Sequence, residues 1–277
     1  MNANSKPKTS TVNYWLRDAA EMLASAGIPS ALLDAEIILA HTLRKSRTWL
    51  HAHSDDAIDA RELDIATARL ELRLDRTPIA YIIGHKESYT RLFRVTPSVL
   101  IPRPESEEMI TLLIELLPTH AKKLLDVGTG SGCLGITAKL ELPHLAVTLA
   151  DISNHALTVA KTNATTLKAD VSLLHSDLMS HTPGMFDVIL ANLPYVDKSW
   201  DRSPETDHEP SLALFADRHG RALIEKLIEQ ASPQLTSGGI LLLEADPEQH
   251  STIVTFAESS DFHHLRTSGY IIVLARN

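Results

Sequence analysis

Four consecutive residues, Asn192-Leu193-Pro194-Tyr195, have the side chains and spacing for chemistry on a planar nitrogen. An amide nitrogen is a poor nucleophile because its lone pair is delocalised into the carbonyl. Two acceptors that take both of its N–H hydrogens orient it and favour the tetrahedral character needed to attack a methyl donor in line. The Asn192 side-chain oxygen and the Leu193 backbone carbonyl are such acceptors. Tyr195 adds a ring on which a flat group can stack. Catalysis of this kind rests on positioning and preorganised electrostatics, not on a strong base. The same residues also read as an Asn-initiated turn with proline behind it.

A second constellation lies upstream. Asp126-Val127-Gly128-Thr129-Gly130-Ser131-Gly132 follows a strand pattern and opens a helical one. Glycine permits positive φ and close backbone approach to a ligand, and a helix start offers unpaired N–H groups. The spacing is not the Gly-x-Gly-x-x-Gly of dinucleotide enzymes, and the Lys-Ser/Thr of a P-loop is missing. A tight strand-to-helix turn explains it equally well when it is taken alone. Asp151 ends the next predicted strand, about 20 residues on, where a carboxylate can accept from two ribose hydroxyls. It can also cap the helix that follows, and the two roles are compatible. Asp177 follows a third strand pattern. It can accept from an adenine amino group or cap a helix, and Leu178 beside it offers the ring an apolar face. In this order the segments point to binding of S-adenosylmethionine and methylation of an amide or amino nitrogen.

The elements that must position these residues fall into two zones. Trp15, Leu16, Ala19, Met22 and Leu23 recur at helical spacing, followed by residues 32–39 and 61–76. Gly27-Ile28-Pro29-Ser30 separates the first two helices, and short connections imply an antiparallel bundle. From Glu107 the pattern alternates: helix 107–117, strand 123–127, strand 146–150, helix 154–167, strand 171–175, strand 186–191, helix 220–231 and strand 239–244. Segments 264–265 and 270–275 complete the set as a final strand pair. Alternating βαβ units predict a mostly parallel sheet with helices on both faces and ligands at the carboxyl ends of its strands. The expected fold is therefore α/β: a Rossmann-like, seven-stranded methyltransferase domain behind a small N-terminal helical bundle. Boundaries are expected at 1–11 for a disordered polar tail, 12–76 for the helical domain, 77–101 for a linker and 102–277 for the α/β domain. Within the linker, 89–95 and 99–101 read as a hairpin turning at Pro97-Ser98, with Ile101-Pro102-Arg103-Pro104-Glu105 rigid and extended behind it.

Composition narrows the function classes. The chain has 277 residues, 44% of them hydrophobic, enough for a substantial core. Its formal net charge of -9 argues against a basic nucleic-acid groove, and 5% aromatic residues leave few platforms for stacking single strands. The one cysteine, Cys133, forms no intramolecular disulfide and no multi-cysteine zinc site, in keeping with a reducing cytoplasm. The 14 histidines show no metal-ligand spacing, so no metal is expected. No apolar stretch spans a bilayer, and no secretory leader opens the sequence. The expectation is a cytoplasmic monomer.

With these motifs in view, the chain resembles the protein-(glutamine-N5) methyltransferases of the PrmC or HemK family. Ile101-Pro102-Arg103-Pro104-Glu105-Ser106-Glu107 is similar to that family's Ile-Pro-Arg-Pro-Asp/Glu-x-Glu segment. Glu209-Pro210-Ser211-Leu212-Ala213-Leu214, with Gly220 beyond, is similar to its Glu-Pro-x-x-Ala-Leu stretch, and Pro78–Gly84 matches its interdomain junction. The resemblance implies a class-1 peptide chain release factor as partner and substrate, methylated on the glutamine of a Gly-Gly-Gln loop, with no stable nucleic-acid partner. It implies S-adenosylmethionine as cofactor and S-adenosylhomocysteine as product. Gly128, Thr129, Gly130, Ser131, Gly132, Asp151, Asp177, Leu178 and Asn192 would hold the cofactor. Asn192, Leu193, Pro194 and Tyr195 would hold the glutamine, with Asn192 and Tyr195 catalytic, and the helical domain would grip the factor elsewhere. Phe93 and Arg103 would line the passage for the loop, though Arg103 is equally placed for an ion pair with Glu107. Two residues depart from the family pattern. Leu193 stands where the family has the first proline of Asn-Pro-Pro-Tyr, and Leu178 where it often has an aromatic. Asn-Leu-Pro-Tyr is itself similar to the motif of ribosomal RNA adenine dimethyltransferases, which makes adenine methylation of RNA or DNA the alternative. A methyltransferase-like protein that only binds its partner is the second.

Overall fold

A computed structural model describes residues 10–277 and divides them into two compact units. The expected tail lies outside the described residues as far as residue 9; Thr11 pairs with Ala57 and caps the first helix.

The smaller unit runs to Gly84 and also takes in the short turn Pro204–His208. Its helices are α1 (Val12–Ser25), α2 (Ala31–Leu43), α3 (Arg47–Ala52), α4 (Ala60–Leu74) and α5 (Ile79–Ile83). Side-chain caps start three of them: Thr11 accepts from Tyr14 N–H, Ser46 from Trp49 N–H and Asp59 from Arg61 N–H. Trp15, Leu16, Ala19 and Leu23 meet Ala35, Ile38 and Leu39 of α2 and Ala66 and Leu70 of α4 in one apolar core. A buried ion pair crosses it, with Arg73 Nε donating to Asp34 Oδ2 at 2.7 Å. Arg73 and Arg76 both donate to Glu205 Oε1, which ties the 204–208 turn to α4. The sequence reading missed α3 and α5, each shorter than two full helical turns and so without a readable period.

The larger unit begins with a hairpin of β1 (His85–Ser88) and β2 (Arg91–Arg94). This corrects the expected turn at Pro97-Ser98. The turn is Tyr89-Thr90, both left-handed at φ 46° and 62°. Such a turn matches strand twist but is normally announced by Asn-Gly. Here Glu107 holds it from outside, accepting Tyr89 N–H at 3.0 Å. Val99–Ile101 joins no ladder, and Ile101 N–H donates to Glu209 Oε2.

The remaining elements are α6 (Glu107–Leu116), β3 (Lys123–Val127), α7 (Cys133–Glu141), β4 (Ala146–Asp151), α8 (Asn154–Leu167), β5 (Val171–His175), β6 (Phe186–Ala191), α9 (Ala222–Ala231), β7 (Leu235–Glu244), α10 (His250–Glu258), β8 (Phe262–Ser268) and β9 (Ile271–Arg276). The sheet has seven strands in the order β5-β4-β3-β6-β7-β9-β8. The first five are parallel, and β9 enters antiparallel between β7 and β8. Period-two alternation divides the core. Leu124, Val188, Leu190, Ile240 and Leu242 face one side with residues of α6, α7 and α8. Leu125, Ile189, Ala191, Leu241 and Leu243 face the other with α9 and α10. Helix α10 is absent from the sequence reading. Among the described residues no helix is long and apolar enough to cross a membrane.

The turn after β3 is fixed by Asp126, a buried carboxylate whose Oδ2 accepts from Thr129 Oγ1 at 2.6 Å and from Gly135 N–H at 2.9 Å. Burial lifts its pKa from the ordinary 3.8 to about 6, against the pull of those two donors. The folded chain therefore keeps this proton in a range where the unfolded chain releases it, so stability falls as pH rises through the range. A shift of this size is worth on the order of 3 kcal/mol. Asp126→Asn should flatten the fall between about pH 4 and 6, read as urea midpoints against pH; an unchanged slope would remove Asp126 as its source. Gly135 is needed for close contact between helix and strand: a Cβ there would lie 2.3 Å from Leu149 Cδ2 and 2.9 Å from Asp126 Cβ. Gly135→Ala should lose roughly 1–3 kcal/mol in the same denaturation experiment, despite alanine's better helix propensity.

Candidate active site

Four strand ends, those of β3, β4, β5 and β6, build one cleft. At the end of β3, Gly128, Gly130 and Gly132 all take positive φ, at 69°, 55° and 82°. Gly130 N–H donates to Asp151 Oδ2 at 2.9 Å, and Ser153 N–H to Asp151 Oδ1 at 2.8 Å. Asp151, at the end of β4, thus braces the glycine turn and holds the Ser153 N–H, but the cap of α8 is Ser153 itself, whose Oγ accepts from Ala156 N–H. A carboxylate has about four acceptor positions, so Asp151 retains capacity toward the cleft it lines. Burial raises its pKa, opposed by the Ser153 and Gly130 donors.

Gly128, Gly130, Asp151, Asp177, Leu178, Asn192, Leu193 and Pro194 line this cleft together. Of the expected site residues, these eight are brought to one place. The sequence reading missed apolar wall residues, among them Val99, Ile152, Leu212 and Leu223. Val99 lies on a segment without regular structure and Leu212 in a single 3-10 turn, Ser211–Ala213, both too short for a period to mark them. Leu178 is held at φ 48°, a left-handed conformation that is costly for a branched side chain. Asp177 accepts from Lys226 Nζ at 2.8 Å, with both side chains nearly half exposed; such a pair is weak and easily exchanged for a ligand donor. Leu193 packs over the glycine turn, where a Cβ on Gly128 would come within 2.8 Å of Leu193 Cδ2. This cradle, with a buried carboxylate and apolar walls, fits a nucleoside bearing vicinal hydroxyls.

Asn192 follows β6 at the floor of the cleft. Its Nδ2 donates to Ser106 Oγ at 3.0 Å. Tyr195 does not line the cleft; its hydroxyl donates to Glu244 Oε1 at 3.2 Å. Burial and the adjacent Glu244 push the Tyr195 hydroxyl well above its ordinary range. Its backbone is clamped: Gln249 Nε2 donates to the Tyr195 carbonyl at 2.9 Å, and a Cβ on Gly220 would stand 1.9 Å from that oxygen. Glu244 ends β7 and is 1% exposed. Burial pushes its pKa up, and the Ser106, Tyr195 and Asn192 donors facing it pull it back. Its Oε2 makes no hydrogen bond. The sequence reading assigned neither Ser106 nor Glu244 a role, although an acid closing an apolar strand at its carboxyl end was a readable signal.

Five expected residues lie elsewhere. Phe93 is fully buried in the core beneath α6–α8 and lines no passage, because the β2 face that carries it packs inward. Arg103 pairs with Glu209, not Glu107, since Glu107 is committed to the Tyr89 turn. Thr129 turns inward to Asp126, Ser131 is buried, and a Cβ on Gly132 would meet Ile136 Cδ1 at 2.7 Å. None of these three lines the cleft.

Comparison with known proteins agrees with this geometry. Residues 14–84 match the family model of the PrmC N-terminal domain, and residues 107–207 that of the methyltransferase small domain. The release factor glutamine methyltransferase of Koribacter versatilis is 39% identical over 248 residues, covering 86% of this chain and 89% of the relative. That of Deinococcus radiodurans is 34% identical over 259 residues, covering 92% and 90%. Among solved structures, the hMettl16 catalytic domain in complex with a MAT2A 3'UTR hairpin superimposes with TM-score 0.52 at 12% identity, covering 80% of this chain and 84% of that one. A 16S rRNA methyltransferase (RsmC) of T. thermophilus in complex with AdoMet and guanosine gives 0.52 at 18% identity, covering 70% and 49%. At such identities these two establish the methyltransferase fold alone. With both family models matched in order and the curated relatives aligned over nearly their whole length, the chain belongs to the release factor glutamine methyltransferase family.

Proposed function

We propose that this chain methylates the side-chain amide nitrogen of the glutamine in the Gly-Gly-Gln loop of class-1 peptide chain release factors. The observation that carries the reading is the setting of Asn192, with its nitrogen committed to Ser106 and its position on the floor of the nucleoside-shaped cleft. The curated relatives named for this activity support it. Asp151 would hold the ribose hydroxyls of S-adenosylmethionine, Asp177 and Leu178 its adenine, and the Gly128–Gly130 backbone its amino-acid end. When bound, the cofactor supplies an electrophilic methyl group on a sulfonium.

The protein's part is to present the nitrogen. Asn192 Oδ1 and the Leu193 carbonyl accept the two amide hydrogens, fix the plane of the glutamine amide and raise the electron density on its nitrogen. Leu193 in place of proline keeps that carbonyl, and Pro194 behind it still restrains its backbone. Tyr195, outside the cleft, is tied to Glu244 behind Asn192. No strong base is called for, because the amide proton becomes acidic once the nitrogen is alkylated and leaves afterwards. Acting on a translation factor, the enzyme would work in the cytoplasm.

The test is methyl transfer from labelled S-adenosylmethionine to a purified class-1 release factor, beside ribosomal RNA and DNA, with mass spectrometry to place the methyl. The methyl should appear on the Gly-Gly-Gln glutamine. Asn192→Ala should lower kcat on the order of a hundredfold or more while cofactor affinity changes little. Near-normal turnover by that variant would sink the mechanism, and label confined to nucleic acid would sink the substrate.

A further inference from the structure

Asn192 can serve as an acceptor only if its amide points the right way. An Asn side chain has two ends of nearly the same shape, and half a turn about its last bond would offer the substrate N–H groups in place of a carbonyl. Something must select the orientation. We propose that Ser106 and Glu244 do so, acting as positioning residues that aim Asn192 Oδ1 at the substrate; this rests on the reading of the site given above.

The selection is a matter of hydrogen-bond polarity. Glu244 stands level with Asn192 because β7 runs beside β6, with Leu243 opposite Ala191. The Tyr195 hydroxyl donates to its Oε1 at 3.2 Å, and Ser106 and Asn192 lie beside the carboxylate. A carboxylate only accepts. A hydroxyl beside it is favoured to aim its one hydrogen that way, which leaves the Ser106 oxygen's lone pairs for its other neighbour. That neighbour is Asn192, which must therefore turn Nδ2 toward Ser106, as the 3.0 Å contact shows. Oδ1 is left pointing the other way. The Tyr195 hydroxyl donates to Glu244 Oε1 and helps to hold that carboxylate in place. Ser106 and Glu244 are 4% and 1% exposed and line no part of the cleft, so they act through their neighbours and not on substrate. The assignment also gives a role to the 101–107 signature: its prolines and the turn that starts at Pro104 deliver Ser106 beneath Asn192.

The experiment is steady-state methyl transfer to a purified class-1 release factor by the wild type, Ser106→Ala, Ser106→Thr, Asn192→Ala, the Ser106→Ala/Asn192→Ala double variant and Glu244→Gln. Ser106→Ala should lower kcat roughly ten- to a hundredfold, with the KM for cofactor and the thermal midpoint little changed. Ser106→Thr, which keeps the hydroxyl, should recover most of that loss. Because Ser106 acts through Asn192, the double variant should be no slower than Asn192→Ala alone. Glu244→Gln keeps the shape but adds a donor that can reverse the chain of bonds, and should match the Ser106→Ala loss. It decides the matter if Ser106→Ala unfolds. Losses that multiply in the double variant, or a Glu244→Gln enzyme of normal kcat, overturn the positioning role while leaving the function intact. A wild type that transfers no methyl to the release factor overturns the function itself, and the positioning role with it.

Discussion

The backbone N–H groups of the glycine turn after β3 and of Gly135 at the start of α7 need acceptors from outside the turn, and neighbouring elements of the larger unit provide them. Buried backbone donors left unpaired are costly. Asp126 takes Gly135, Asp151 takes Gly130, and the Ala150 carbonyl takes Thr129 N–H at 3.0 Å. Asn163 of α8 reaches in from the side, donating to the Ser131 carbonyl while it exchanges hydrogen bonds with the backbone of Arg94. The hairpin, the glycine turn and α8 are thus joined through one side chain. With the turn fixed, β3 and β4 end level with each other, and β6 delivers Asn192 beside them.

That arrangement separates two tasks on either side of Asn192. The cleft side is apolar and glycine-lined, with Asp151 as its built-in acceptor. The other side is a compact polar cluster of Ser106, Tyr195 and Glu244. Asn192 belongs to both, lining the cleft while its nitrogen is tied to Ser106 behind it. The strained Leu178 and the clamped Tyr195 carbonyl show the same economy of motion: each is held by its surroundings in a place it would not choose alone.

The sheet was largely legible because most of its strands are short apolar runs bounded by glycine or polar residues. Lys123–Val127, Val171–His175 and Phe186–Ala191 have the same ends in sequence and structure. The residues lining the cleft were legible for a related reason, since parallel strands bring their carboxyl ends together, and Gly128, Asp151, Asp177 and Asn192 with them. What escaped depends on long-range partners. The Tyr89-Thr90 turn has no turn residues of its own and relies on Glu107, 18 positions away. Arg103 finds Glu209, 106 positions on, and not the acid four residues ahead. Glu244 was read as the end of a strand, and only the packing of β7 beside β6 shows what its side chain meets.

The place of β9 between β7 and β8 has a consequence for how the site comes into being. During synthesis β7 emerges with β6 already at one edge, but its other edge stays open until residues 271–276 have been made. Glu244 pairs with Ile271 at the start of that last-made neighbour. Glu244 therefore sits on an unfinished sheet edge while the strands whose ends line the cleft, β3 to β6, have all been made. The lining of the cleft leaves synthesis before the strand that closes the edge beside Glu244.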